Sequence, residues 1–162
     1  MGLNVRQLRD LVVRPVLGSL ALVEPGADSP DSERLILGTA AIESSFEYLH
    51  QEGSGPALGL WQMEPTTHVD IWVNFLAFKP QLAAAVSLWR TVGPHLANQL
   101  IWNLAYACAM ARVHYMRDKH PIPSAMADMD AYYDRVYNAG GASRPGEFTS
   151  CYARLVEPFV GN

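Results

Sequence analysis

Apolar positions recur along most of this chain at the three- and four-residue spacing of an amphipathic helix, and strand-like alternation is nearly absent. Leu8, Leu11, Val12, Val16 and Leu20 form the first such stripe, over residues 4–23, and Pro15 is expected to split or kink it. Residues 24–30 are loop by composition. Ser29, followed by Pro30, Asp31 and Glu33, then makes a helix start: a capping side chain, a proline in the first turn, and acids facing the dipole. That helix turns Leu35, Ile36 and Ile42 inward and is expected to end near Phe46 or Tyr48. Gly53, Gly55, Pro56 and Gly59 make residues 47–60 irregular, with at most a minor hairpin.

Thr66 or Thr67 is expected to cap the next helix, through Ile71, Trp72, Phe75 and Leu76. Pro80 opens another, with Leu82, Ala85, Val86 and Trp89 on one face, and Gly93-Pro94 is expected to end it. From residue 98 to about 118 apolar residues surround the axis on nearly every side, which predicts the central buried helix. Ser124 is expected to start a helix through Met126, Met129, Tyr133 and Val136, and a last helix covers about residues 147–156. The fold class is all-α.

Composition bounds the picture without changing it. At 162 residues, 49% hydrophobic and 17% charged, the chain reads as one domain, 1–162, with a real core. A net charge of −4 and the absence of any Lys/Arg cluster argue against a nucleic-acid partner. The uncharged run over residues 91–111 is broken by Gly93-Pro94 and by Asn98, Gln99 and Asn103, so it reads as a core helix and not a membrane insertion. Cys108 and Cys151 form no CxxC; Cys108 lies in an apolar helical run and reads as core. The histidines at 50, 68, 95, 114 and 120 show no HExxH or comparable spacing, so neither metal nor cofactor is expected. The start scatters Arg6, Arg9, Asp10 and Arg14 among its apolar residues, unlike a secretory signal, and Gly2 does not open a complete myristoylation pattern.

The chemistry gathers in residues 40–67. Glu43 falls on a helical face shared with Ile36, Thr39, Ala40 and Phe46. Burial disfavours a carboxylate's charged form, so such a group tends to hold its proton near neutrality, as a general acid requires. The bland alternative is a carboxylate at a helix end in solvent. Beyond it comes a Gly-rich turn ending in Gly59-Leu60-Trp61-Gln62-Met63, with Pro65 and Thr66 behind.

Glu43-Ser44-Ser45-Phe46, then Gly59-Leu60-Trp61-Gln62 with Pro65 and Thr66, and much later Tyr137-Asn138-Ala139-Gly140, resemble the signature of the soluble lytic transglycosylases. These belong to the lysozyme-like superfamily, together with the goose-type lysozymes. The resemblance covers about residues 35–141. Trp61 stands where that family has Met. It implies a lysozyme-like catalytic core over 31–162, with a central buried helix and a substrate cleft; residues 1–30 form a helical extension outside the motifs.

By resemblance, Glu43 is the catalytic acid, and the hydroxyl of Tyr137 contacts it to orient and tune the carboxyl. Gln62 and Asn138 bind the sugar, and Ser54 in the Gly-rich loop is a further substrate-binding candidate. Ser44 either hydrogen-bonds in the cleft or caps the helix end. Trp61 either stacks on a sugar ring or belongs to the core. Read without the motifs, Gln62 is an exposed loop residue, and Tyr137-Asn138-Ala139-Gly140 is a helix stop.

Breaking a β-1,4 glycosidic bond needs a proton on the leaving oxygen. A hydrolase adds a second carboxylate, about 5 Å away for retention or roughly 6.5–9.5 Å for inversion. Glu47, Glu52, Glu64 and Asp70 are the candidates, each otherwise a solvated surface acid. The lytic transglycosylases dispense with it. Their single Glu returns to take the proton of the muramic-acid C6 hydroxyl as it closes into a 1,6-anhydro ring. The implied substrate is therefore peptidoglycan, cleaved between MurNAc and GlcNAc. Hydrolysis is the first alternative, and a non-catalytic glycan-binding or virion module the second. Such an enzyme acts in the periplasm or at the cell exterior. With no export signal visible, delivery by a bacteriophage, through a holin-made hole or on the virion, is one expectation, which makes virion or tail proteins candidate partners. A longer parent chain is the other.

Overall fold

In the computed structural model, the described residues are 2–93, 96–139, 141 and 143–161. Gly140 of the last motif, together with Pro94 and His95, lies outside them. The fold is all-α, with no strand among the described residues. The only β character there is a pair of isolated bridges, His50 to Leu58 and Leu58 to Met63, which fold the Gly-rich segment back on itself.

The N-terminal stripe forms one helical rod in three parts: α1 (Val5–Leu8), a π-helical turn (Arg9–Val13) and α2 (Arg14–Ala21). The asparagine before α1 caps it, its Oδ1 accepting from the Gln7 amide at 3.0 Å. Pro15 cannot donate a backbone hydrogen bond, and its ring crowds the preceding turn. The widened turn beside it accommodates both, so the expected break is a π-turn within a continuous rod. This rod belongs to the core: Leu8, Val13, Val16, Leu17 and Leu20 pack in one buried cluster with residues as distant as Tyr152 and Val156. Arg6 also donates to the Phe159 carbonyl at 2.9 Å, and Arg9 to that of Val160.

α3 (Pro30–Ser44) starts as expected, with the Ser29 hydroxyl accepting from the Ser32 amide at 3.1 Å. It stops earlier than expected, because Ser45 (φ 50°) and Phe46 (φ 59°) both turn left-handed. α4 (Pro65–Asn74) follows Glu64, so Thr66 and Thr67 lie inside the helix and neither caps it. A 3-10 turn (Leu76–Phe78) leads to α5 (Pro80–Ser87), which opens at Pro80 as expected but ends well before Gly93.

The long helix expected over residues 98–118 is divided. A 3-10 turn (Leu96–Asn98) and α6 (Gln99–Trp102) come first, and Asn103 leaves helical geometry at φ −99°, ψ 87°. Its Oδ1 then caps α7 (Leu104–Met116) through the Tyr106 amide at 3.1 Å, while its Nδ2 donates to the Trp89 carbonyl at 2.8 Å. The polar residue that looked like an interruption is an N-cap. α7 is the central helix, with Tyr106, Cys108, Met110, Ala111 and Val113 sealed from solvent. Cys108 and Cys151 are both free thiols. No helix among the described residues is long and apolar enough to cross a membrane.

α8 (Met126–Val136) is not capped by Ser124, whose hydroxyl instead donates to Asp31 Oδ2 at 2.8 Å and ties α8's approach to the start of α3. α9 (Glu147–Leu155) and the short α10 (Glu157–Val160) close the chain. α9 lies tightly on α3. A Cβ on Gly38 would meet the Phe148 ring at 2.2 Å, so this approach requires glycine.

Candidate active site

An open cleft of about 840 Å³ lies where the end of α3, the loop over residues 45–64, the start of α4 and the end of α8 converge. Glu43, in the last turn of α3, is on its wall. The left-handed residues at 45 and 46 end the helix just past it, so the carboxyl stands beside the loop that turns across the cleft. Burial raises the Glu43 carboxyl to about 7, against a smaller downward pull from a hydrogen bond with Tyr133. Among the described residues no Lys or Arg lines the cleft to hold it ionised.

The tyrosine on Glu43 is not Tyr137. The Tyr133 hydroxyl donates to Glu43 Oε1 at 2.6 Å, while the Tyr137 hydroxyl donates to the Trp61 carbonyl at 2.7 Å. The two tyrosines sit one helical turn apart with rings stacked at 6.2 Å. Tyr133 is still inside α8, at 3% exposure, and reaches back to α3. Tyr137 is the helix's C-cap, so its hydroxyl meets the loop instead. Burial and the nearby carboxylate push the Tyr133 phenol far above the usual range, so it remains a donor.

Trp61 belongs to the core and offers no face to a sugar. It is 1% exposed, and its Nε1 donates to the Ile36 carbonyl on α3 at 2.9 Å. Together its indole and its carbonyl bind the loop to α3 on one side and to Tyr137 on the other. Gly59 (φ 76°) makes this turn, and a Cβ there would meet the Leu100 carbonyl oxygen at 1.9 Å.

Gln62 and Asn138 do line the cleft. Gln62, itself left-handed at φ 43°, donates from Nε2 to the Gly59 carbonyl at 2.8 Å. Its Oε1 makes no hydrogen bond among the described residues. Asn138 contacts Asp134 Oδ1 at 3.4 Å. Ser44 touches the cleft wall, but its hydroxyl serves the helix end, donating to the Ala40 carbonyl at 3.0 Å and accepting from the Phe46 amide at 3.3 Å. Ser54 is exposed and is not on the cleft wall.

Of the candidate second carboxylates, Glu52 and Glu64 line the cleft. Glu47 does not, and Asp70 is occupied by Arg117 and Asn74 on the surface. His114 also lines the cleft, which nothing in its sequence context signals. It donates from Nε2 to the Val136 carbonyl at 2.9 Å, and its ring stands edge-on to that of Tyr137 with the ring centres 4.9 Å apart. Burial lowers its proton affinity, so it is a neutral wall and not a cation. Among the described residues no group of three His, Cys, Asp or Glu side chains could hold a metal ion.

No protein-family model matches this sequence, and no curated protein or solved structure matches it significantly. What the arrangement can do therefore rests on its own chemistry. A single carboxyl with a proton affinity near neutrality, held in direction by a phenol, can give a proton to an oxygen in the cleft and take one back. Gln62 and Asn138 add polar contacts on the same wall, with neutral side chains that suit a hydroxyl- and amide-bearing ligand better than an anion.

Proposed function

We propose that this protein is a lysozyme-like enzyme that cleaves the β-1,4 bond between MurNAc and GlcNAc in peptidoglycan, by the lytic transglycosylase route. The observation that carries the reading is Glu43: a cleft-wall carboxyl held near pH 7 by burial, with one directing hydrogen bond and no cation. Its motif neighbours Gln62 and Asn138 share that cleft.

In the proposed reaction the protonated Glu43 gives its proton to the glycosidic oxygen as the C1–O bond breaks. The C6 hydroxyl of MurNAc then forms a bond to C1, and the Glu43 carboxylate accepts the proton that this hydroxyl loses. The product is a 1,6-anhydro end, and no water is consumed. Tyr133 keeps the carboxyl aimed through both halves. The proposed site of action is the cell wall, with phage delivery as the route.

Hydrolysis is the second reading, and Glu52 and Glu64 on the cleft wall are its specific support. Mass spectrometry of soluble products from purified sacculi separates the two. Anhydro-muropeptides, lighter by one water than reducing-end muropeptides, are expected. Reducing ends whose release disappears in Glu52→Gln or Glu64→Gln would establish hydrolysis instead. Binding to sacculi without any released product would leave a glycan-binding module.

A further inference from the structure

A second cavity, of about 450 Å³, shares no lining residue with the Glu43 cleft. It lies between the α2–α3 turn, the end of α7 and the segment after it, and α8. On its wall stands Arg112, only 7% exposed. A buried guanidinium ordinarily has a carboxylate partner, because an unpaired buried charge is costly. Among the described residues Arg112 has a single hydrogen bond, from Nε to the Ala27 carbonyl at 3.1 Å. Its Nη nitrogens have no protein partner there, yet they are not sealed from solvent.

The cavity's own acids do not supply that partner. Glu24 accepts from Lys79 at 2.6 Å. Asp31 is taken by Arg34 and by the Ser124 hydroxyl. Asp118 is taken by Arg135 at 2.8 Å and His120 at 2.9 Å. Each wall carboxylate has its own cation, and among the described residues none of them hydrogen-bonds or ion-pairs with Arg112, which Glu24 reaches only as a charge beyond contact distance.

We infer that this cavity binds a small monocarboxylate, with Arg112 as its anchor. The planar guanidinium can give a carboxylate parallel N–H···O bonds. Pro25, Ala27, Ile122 and Tyr132 offer a short apolar body its contact surface. A dianion such as phosphate fits less well, because Glu24, Asp31 and Asp118 oppose a second negative charge even while paired. This site is independent of the proposed glycan cleavage.

The test is a nuclear magnetic resonance titration of the full chain with butyrate, with chloride at matched ionic strength and inorganic phosphate as comparators. The Arg112 Nε–H and Ile122 amide signals should shift saturably with butyrate, and about tenfold less tightly with phosphate. Arg112→Lys should weaken butyrate binding about tenfold, since a point charge replaces the two-pronged donor. Ile122→Trp keeps the guanidinium and fills the space from the half-buried wall. It should abolish the shifts while leaving the rest of the spectrum in place, which covers an Arg112 variant that fails to fold. Shifts that stay linear in butyrate, that match or fall below those of phosphate, or that survive Ile122→Trp would overturn the site.

Discussion

The two ends of α3 carry carboxylates with opposite electrostatics. Asp31 lies in the first turn, where the unsatisfied amides of a helix favour negative charge, and it also receives hydrogen bonds from Arg34 and Ser124. Burial pushes its proton affinity up, but those bonds and the Arg34 charge outweigh burial and hold it below 3.8. Glu43 lies in the last turn, where the carbonyl end of the helix opposes a negative charge, and only a phenol attends it. Burial prevails there, and its carboxyl rises to about 7. Residue type is thus a weak guide to role. A cation and a helix start make one carboxylate a structural tie, and their absence leaves the other a carboxyl that holds its proton near neutrality.

The largest effect should come from removing the carboxyl that no cation attends. Glu43→Gln should lower turnover of sacculi by about a hundredfold or more, the scale of general acid catalysis. It should also change stability in a definite direction. Because the folded value lies above the unfolded one, Glu43 stabilises the fold most below 4.5 and loses that contribution as pH rises through about 7. Above that, the ionised group costs roughly 3 kcal/mol. Thermal unfolding across pH should find Glu43→Gln equal to the wild type in acid and more stable in mild alkali. A variant less stable at alkaline pH would show that a partner favours the ionised form.

The next effect separates the two tyrosines. Removing the Tyr133 hydroxyl takes away a bond to the ionised carboxylate, so Tyr133→Phe should raise the Glu43 proton affinity further. The alkaline limb of the pH–activity profile should move upward, with turnover down about tenfold. Tyr137→Phe should leave that limb in place and cost about 1 kcal/mol of stability, through the lost bond to the Trp61 carbonyl. The reverse pattern would mean that Tyr137 is the residue on Glu43 in solution.

This pair also marks how far the sequence reaches. Helical spacing puts Tyr133 and Tyr137 on one face of α8, but which hydroxyl meets Glu43 depends on where α8 stops, and helix ends are poorly encoded. Trp61 is similar: its burial comes from α3 passing beneath the loop, a tertiary fact absent from the local pattern. Where a local device is itself the signal, the sequence suffices. Ser29 and Pro30 start α3, and Pro80 starts α5. Asn103 is equally legible in principle, since an Asn before a helical run is a cap signal, but the apolar stretch around it suggests continuity. Ser54 is a candidate only through the resemblance, and a Gly-rich loop does not fix its side chains well enough to carry this one onto the cleft wall.

The smallest effect tests the other end of α3. Asp31 and Arg34 are partly exposed, at 25% and 34%, so solvent screens their pair, and Asp31→Asn should cost only about 1 kcal/mol near neutrality. The sign is opposite to that at Glu43. A carboxyl depressed below 3.8 contributes stability that is present above that value and lost as pH falls through its folded value. The deficit of Asp31→Asn should therefore vanish in strong acid, where the wild-type carboxyl is protonated too, and shrink in high salt. Asparagine keeps an acceptor for Ser124, so a deficit that persists in acid would have to come from shape or packing. In that case the Arg34 pair and the helix start would not be what holds Asp31 ionised, and the contrast between the two ends of α3 would reduce to a difference in burial alone.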